Sequence, residues 1–289
     1  PLRLHAHDCD DALVDVGACC LHPVVARADG ILLLSALVPH YLAGWGGGAK
    51  MLVPGVASRT LATHLHQASF DGQQHTPGTH SGAHLDDNPM QQRLRKLMDA
   101  SPLPPVAGVC VVVDEGILID AEGGAAFAHH ATLVERERRR LRVDVDDDIA
   151  AVWACCKPKS GDTVVQAHKA LRMATSVLPP GASVVLEAPL RRGAGHAAID
   201  AWLRLPASAL AAQLQRDFHI SLQTAWSWRT LVENYDVSVV SEMSDDDVSA
   251  FGATPMSRDS ATTHLQASAQ KKGGTVGLMP GAPALFVRR

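Results

Sequence analysis

The sequence is poor in aromatic residues, at 4% of 289, and it has no excess of basic charge. A formal net charge of -4 excludes the positive field that holds a nucleic-acid backbone. No apolar run approaches the roughly 18 residues needed to span a bilayer. The opening Pro1-Leu-Arg-Leu-His-Ala-His7 lacks the apolar stretch of a signal peptide. Cysteines fall at Cys9, Cys19, Cys20, Cys110, Cys155 and Cys156 with no C-x-x-C pair, which argues against a zinc knuckle. Reduced thiols in a cytoplasmic protein are the expectation. Two nucleotide fingerprints are also missing. No G-x-G-x-x-G follows a strand with a suitably spaced acid, which disfavours a nicotinamide dehydrogenase. The glycine-rich run ending at Lys50 has Ala49 where a P-loop needs Gly, and Met51 where it needs the Ser or Thr that holds Mg²⁺.

What remains is a chain that is 46% hydrophobic and long enough for two α/β domains. Residues 10–40 read as helix, turn and strand. The continuous apolar run Ile31–Val38 suits a strand buried on both faces of a parallel sheet, and Val106–Val113 a second. Between them lie a polar loop at 71–88 and a helix from Pro89 to about Ala100. The charge-dense run Glu135–Arg142 reads as a solvated surface helix. Further on, strands at 149–154, 183–187, 237–240 and 275–279 alternate with helices at 162–177, 196–215, 220–234 and 258–271. This rhythm predicts mainly parallel sheets in both halves. The expected domains are 1–136 rejoined by 275–289, a partial cofactor-binding domain, and 137–274. The active-site cleft is expected between them.

The segment richest in chemistry is His40-Tyr-Leu-Ala-Gly-Trp-Gly-Gly-Gly-Ala-Lys50, at the carboxyl end of the first apolar strand, where open α/β sheets bind ligands. Gly46, Gly47 and Gly48 allow backbone N–H groups to approach an anion or a flat ring. The plainer reading is a flexible loop with a surface lysine. Downstream lie Val53-Pro-Gly-Val-Ala57, His64 and His66. His75, His80 and His84 have a spacing that could bind a metal, although a solvated loop explains them as well. Trp226 and Trp228 read as core by default, with reach into the active site as the alternative, and His129-His130 has no assignment.

These motifs taken together resemble the nickel-dependent lactate racemase family. That family places a histidine before an Ala-Gly-(aromatic)-x-Gly-Gly-x-Lys loop, then Pro-Gly-(aliphatic)-Ala, then a histidine sixteen residues beyond the lysine; here Lys50 plus sixteen is His66. Asn88-Pro89, Pro158…Asp162…Gln166-x-x-Lys169, Pro180-Gly-Ala-Ser and Val276-Gly-Leu-Met-Pro-Gly281 extend the resemblance along the chain.

The resemblance implies a racemase or epimerase of 2-hydroxy acids. It implies a nickel pincer pyridinium-dithiocarboxylate mononucleotide linked through Lys50, a nickel ligand at His66 (or His64), and a proton-exchanging His40. Gln166 and Lys169, three apart on one helix face, would meet the substrate carboxylate, with Val165 where the family has Tyr. The implied partners are a small 2-hydroxy acid and the enzymes that make the cofactor, with no nucleic acid or membrane. The family's second catalytic histidine lies in a His-Arg-Pro-like motif of an earlier segment. That motif does not occur here, and His5 and His7 are not it. The expectation is therefore either a chain truncated before residue 1 or a degenerate, non-catalytic relative acting as a binding protein.

Overall fold

The computed structural model describes residues 2–157, 160–281 and 284–288. Pro158 of the resemblance lies outside the described residues. The chain divides into two compact units, Pro1–Leu141 and Arg142–Arg289.

The first unit opens with a hairpin, not the expected helix. Strands β1 (Val14–Val16) and β2 (Cys19–Leu21) pair antiparallel across Gly17, whose φ of +63° suits the turn. A short helix α1 (Pro23–Ala26) precedes β3 (Ile31–Ala36). The two-residue strands β4 (Pro39–His40) and β5 (Gly44–Trp45) then lead into a 3₁₀ turn at Gly48–Met51. Two helices follow, α2 (Arg59–Gln67) and α3 (Pro89–Asp99). Ser58 caps α2 by accepting the Leu61 N–H, and Asn88 caps α3 with proline at its first position. The unit closes with β6 (Val106–Asp114), β7 (Ile117–Ala125) and α4 (Ala128–Leu141).

The sheet has the order β3-β6-β7, with β3 parallel to β6 and β6 antiparallel to β7. It is thus mixed, not parallel as expected. The hairpin signal was Asp114-Glu115-Gly116-Ile117, with positive φ at both central residues. Nor is β3 buried on both faces. Leu33 faces the core, whereas Leu32 and Leu34 are 63% and 66% exposed, the alternation of a one-sided strand. The core gathers Leu33, Leu42, Leu52, Leu61, Leu65, Met90 and Leu94. Helix α4 is not merely solvated: His129, His130, Leu133, Val134, Glu137 and Leu141 are buried, and Arg140 holds the Glu137 carboxylate with two bonds of 2.6 and 2.7 Å.

The second unit follows the expected α/β alternation. Its elements are β8 (Arg142–Val145), β9 (Ile149–Cys155), α5 (Val164–Thr175), β10 (Ser183–Glu187), α6 (Ala197–Leu203), α7 (Ala207–Arg216), α8 (Ile220–Asn234), β11 (Asp236–Val240), α9 (Asp245–Ala250), β12 (Thr254–Pro255), α10 (Arg258–Lys271), β13 (Thr275–Met279) and β14 (Leu285–Arg288). The order β12-β11-β10-β9-β13 is parallel throughout. Residues 275–279, expected to rejoin the first domain, pair instead with β9. An apolar strand finds its hydrogen bonds on the nearest open edge, and here that edge belongs to the same unit. The chain steps from β9 to β12 in one direction and returns to β13 on the other side of β9. The carboxyl ends of β9 and β13 therefore flank the reversal point where such sheets bind ligands, and α5 starts from that edge. No described helix is long and apolar enough to cross a membrane.

Candidate functional site

Two segments of the first unit carry most of the candidate residues. The first is the turn holding His40. Strand β4 pairs with β5 so that His40 lies opposite Gly44. The His40 Nδ1 accepts the backbone N–H groups of Leu42 and Ala43, at 3.2 and 3.0 Å. A ring nitrogen that accepts two amide protons must itself be unprotonated, so the neutral ring carries its hydrogen on Nε2. The ring stacks on Tyr41, with centroids 5.4 Å apart. His40 therefore has a structural task at one nitrogen and a donor at the other. The two tasks can be separated. His40→Asn retains an acceptor near the Nδ1 position and should leave the thermal midpoint close to that of the wild type. His40→Ala leaves both N–H groups without that acceptor and should cost about 1–2 kcal/mol in denaturant titration.

Two polar residues lie under this turn: Asn88, noted in the sequence only as part of an Asn-Pro segment, and Gln91, which was not singled out. Asn88 accepts the N–H groups of Met90 and Gln91 while its Nδ2 donates to Leu42 O (2.8 Å) and Gly78 O (2.9 Å). Gln91 donates from Nε2 to Ala43 O (3.0 Å) and Trp45 O (3.3 Å). Both are buried. They satisfy the carbonyls of a chain that passes through the interior without regular pairing. The Asn-Pro helix start was the legible signal for Asn88; Gln91 had none.

The second segment is the glycine run. Gly46 donates its N–H to Val38 O at 2.8 Å, and Gly48 donates to Ser35 Oγ at 3.0 Å. Two of the three amides expected to cradle an anion are thus used within the protein. The glycines have a different physical reason. A Cβ on Gly47 (φ +79°) would stand 2.8 Å from Ala36 O, and one on Gly48 (φ +57°) 2.6 Å from the His130 ring. The run is close-packed against β3 and α4, and it ends in the 3₁₀ turn that carries Lys50.

His66 and His64 both lie on α2. Two residues apart on a helix, they point to different sides. His64 is exposed; His66 is half-buried. Its Nδ1 lies 2.7 Å from Ala62 O, and a carbonyl can only accept, so Nδ1 carries the hydrogen and Nε2 presents its lone pair. Burial holds the His66 pKa below that of an ordinary imidazole, and the Lys50 ammonium acts in the same sense. Burial also lowers the His130 pKa, with His129 and then Lys50 acting in the same sense. His64 differs: its pKa is lowered by burial and by Arg93.

In the second unit, Gln166 and Lys169 lie near the start of α5, and the Lys169 ammonium donates to Gln166 Oε1 at 2.7 Å. Burial lowers the Lys169 pKa. Trp226 and Trp228 are core residues, Trp228 donating to Phe251 O. Among the described residues, Asp8, Cys9 and Asp10 alone bring three ligand atoms within 4.8 Å of one another, so His75, His80 and His84 do not form such a group. All six cysteines are free thiols.

A mixed sheet that clamps a glycine turn, with a lysine and a carbonyl-oriented histidine beside it, joined in sequence to a doubly wound parallel unit, defines a class of α/β protein built around a lysine-bearing turn. Residues 2–78 match the model of the lactate racemase N-terminal domain. The lactate racemase of Lactiplantibacillus plantarum is 23% identical over 198 residues, which is 66% of this chain and 46% of that protein. The lactate racemase apoprotein of Thermoanaerobacterium thermosaccharolyticum superposes with a TM-score of 0.86 at 17% identity, covering 97% of this chain and 70% of that one. A Thermotoga maritima protein superposes with a TM-score of 0.62 at 15% identity, over 93% and 69% of the two chains. The likeness to a lactate racemase domain model thus lies in the first quarter of the chain, the fold likeness runs along nearly all of it, and the chain spans about half the length of the curated relative it matches.

Proposed function

We propose that this chain supplies the cofactor-holding part of a racemase or epimerase of 2-hydroxy acids, with Lys50 as the covalent anchor of a nickel pincer pyridinium-dithiocarboxylate mononucleotide and His66 as the protein ligand to nickel. The observation that carries this reading is His66 itself. A metal-binding imidazole characteristically donates its second nitrogen to a carbonyl or carboxylate, and this fixes the tautomer and aims the lone pair. His66 does so through Ala62 O, burial keeps it neutral, and neutral imidazole suits Ni²⁺. The donor set thus fits the group. When bound, that group would supply the acceptor and donor of the substrate hydride at C2.

The remaining work falls to side chains. His40 holds its hydrogen on Nε2 and can direct it to the C2 oxygen, stabilising a keto form by hydrogen bonding and returning the proton to an alkoxide. Gln166 and Lys169 form a neutral donor and a cation on one helix face, suited to a carboxylate. Partial withdrawal from water strengthens the cation's hold on an anion. The glycine run places the Lys50 turn hard against β3, which limits its movement.

Loading the purified chain with the synthetic or co-expressed cofactor tests the reading. Intact-mass and peptide analysis should find the added mass on Lys50, with nickel at one per chain, and Lys50→Arg should take up neither. Nickel and mass absent from the wild type would overturn it. Mass and nickel without turnover on any 2-hydroxy acid would instead favour a binding protein.

A further inference from the structure

We propose that His130, in the first turn of α4, is a positioning residue that sets the 46–50 turn and thereby the direction in which Lys50 is presented. The purpose assigned to Lys50 rests on the function proposed above; the geometry does not. His130 comes 84 residues after Gly46 in sequence, yet its Nε2 lies 2.9 Å from Gly46 O. The carbonyl can only accept, so Nε2 carries the hydrogen and the ring is fixed in one tautomer. The Cγ–Cδ2 side of its ring lies against Gly48, where a Cβ would stand 2.6 Å from Cγ and 2.8 Å from Cδ2. The opposite side of the turn is closed by β3 and β6: Ser35 Oγ accepts the Gly48 N–H, and Ala36 O and Cys110 Sγ lie where a Gly47 side chain would begin.

The turn is therefore gripped between the sheet and one imidazole. An aliphatic residue at 130 could fill the space but could not donate to Gly46 O. Burial lowers the His130 pKa, with His129 and then the Lys50 ammonium acting in the same sense, and Lys50 lies two residues beyond the Gly48 that the ring packs against. The adjacent His129 is a different case: it is held by Ala125 O and packs over Gly108 in β6, away from the glycine run.

The test uses the apo chain and a readout that needs no cofactor. Limiting reductive methylation with formaldehyde and cyanoborohydride, followed by peptide mass spectrometry, gives the rate at Lys50 relative to Lys96 and Lys271. His130→Leu removes the donor but keeps bulk, and it should change the relative Lys50 rate by at least about threefold, since small misplacements of a held group alter its reactivity steeply. His130→Gln, whose amide can reach Gly46 O, should stay within about twofold of the wild type on the same grounds. Gly48→Ala disturbs the contact from the loop side and should reproduce the His130→Leu effect; it decides the matter should His130→Leu fail to fold.

A merely structural role would lower the melting midpoint while leaving the relative Lys50 rate unchanged in folded His130→Leu and Gly48→Ala proteins, and that result would overturn the proposal. A shifted rate in the variants together with no mass addition on loaded wild type would leave the positioning role standing and remove only the cofactor reading.

Discussion

His66→Ala, prepared in the cofactor-loaded chain, should lose most of its nickel on gel filtration while the mass on Lys50 remains. His64→Ala should retain both. The two histidines share a helix, a residue type and a neighbourhood in sequence, so the contrast isolates orientation. His66 has its Nδ1–H committed to Ala62 O, which leaves one lone pair in a fixed direction. His64 is exposed, and its backbone carbonyl receives Arg93 at 2.5 Å. Loss of even a supporting partner of a metal-bound histidine lowers affinity by about 10- to 100-fold, and loss of the ligand itself should do no less. Nickel per chain by plasma mass spectrometry, measured against the intact mass, reads the two effects separately. Equal nickel retention in both variants would mean that neither imidazole is the ligand.

The pH behaviour provides a second arm. The ordinary imidazole value is 6.5, and burial and Lys50 place His66 below it. A ligand with a lowered pKa stays unprotonated at mildly acidic pH, where an exposed histidine competes with protons. Nickel retention should therefore persist below pH 6.5 in the wild type. A surface site would release metal through that range.

The parts of this molecule that could be read from sequence are those where one local rule decides. Strands β9, β10, β11 and β13 and helices α5, α8 and α10 follow from apolar period and from proline and glycine punctuation, because they build or cover one five-stranded parallel sheet. The Asn88-Pro89 helix start is likewise a local rule, and Asn88 caps α3 with proline at its first position. The failures arise where partners are distant in sequence. Ile31–Ala36 looks continuous in composition, but which of its residues face the core depends on a sheet formed with residues 106–125. The glycine run reads as an open cradle until Ser35 and His130 close on it, and no spacing rule connects residue 46 with residue 130. Strand β13 has the composition of either sheet; only the free edge of β9 decides where it pairs. His40, His66 and His130 share this limit, since the tautomer of each is set by what one ring nitrogen touches.

Acid should destabilise the second unit through a single buried side chain. His168 lies on α5, between Gln166 and Lys169, fully withdrawn from solvent, with Nδ1 2.6 Å from Val165 O. Burial, reinforced by the Lys169 ammonium, pushes its pKa down to about 3 from 6.5. In the unfolded chain the same imidazole takes a proton near pH 6.5, so between those two values the unfolded state binds more protons than the native one. Stability therefore falls as pH drops through that window, by about 1.4 kcal/mol per unit, or about 2 kcal/mol by pH 5. The carboxylates cannot account for a loss in this range. Asp247 has its pKa lowered by Arg204 from an ordinary 3.8, so its contribution disappears only at lower pH, and its exposure keeps that contribution small. His66 and His130 act in the same direction in the first unit. Urea titrations at pH 7 and pH 5 should show the midpoint of the second unit moving down, and His168→Leu should flatten that dependence while preserving the apolar fill of the site. Equal slopes for wild type and variant would refute the assignment. The consequence reaches the proposed carboxylate-binding pair, because the helix that buries a neutral His168 also carries Gln166 and Lys169.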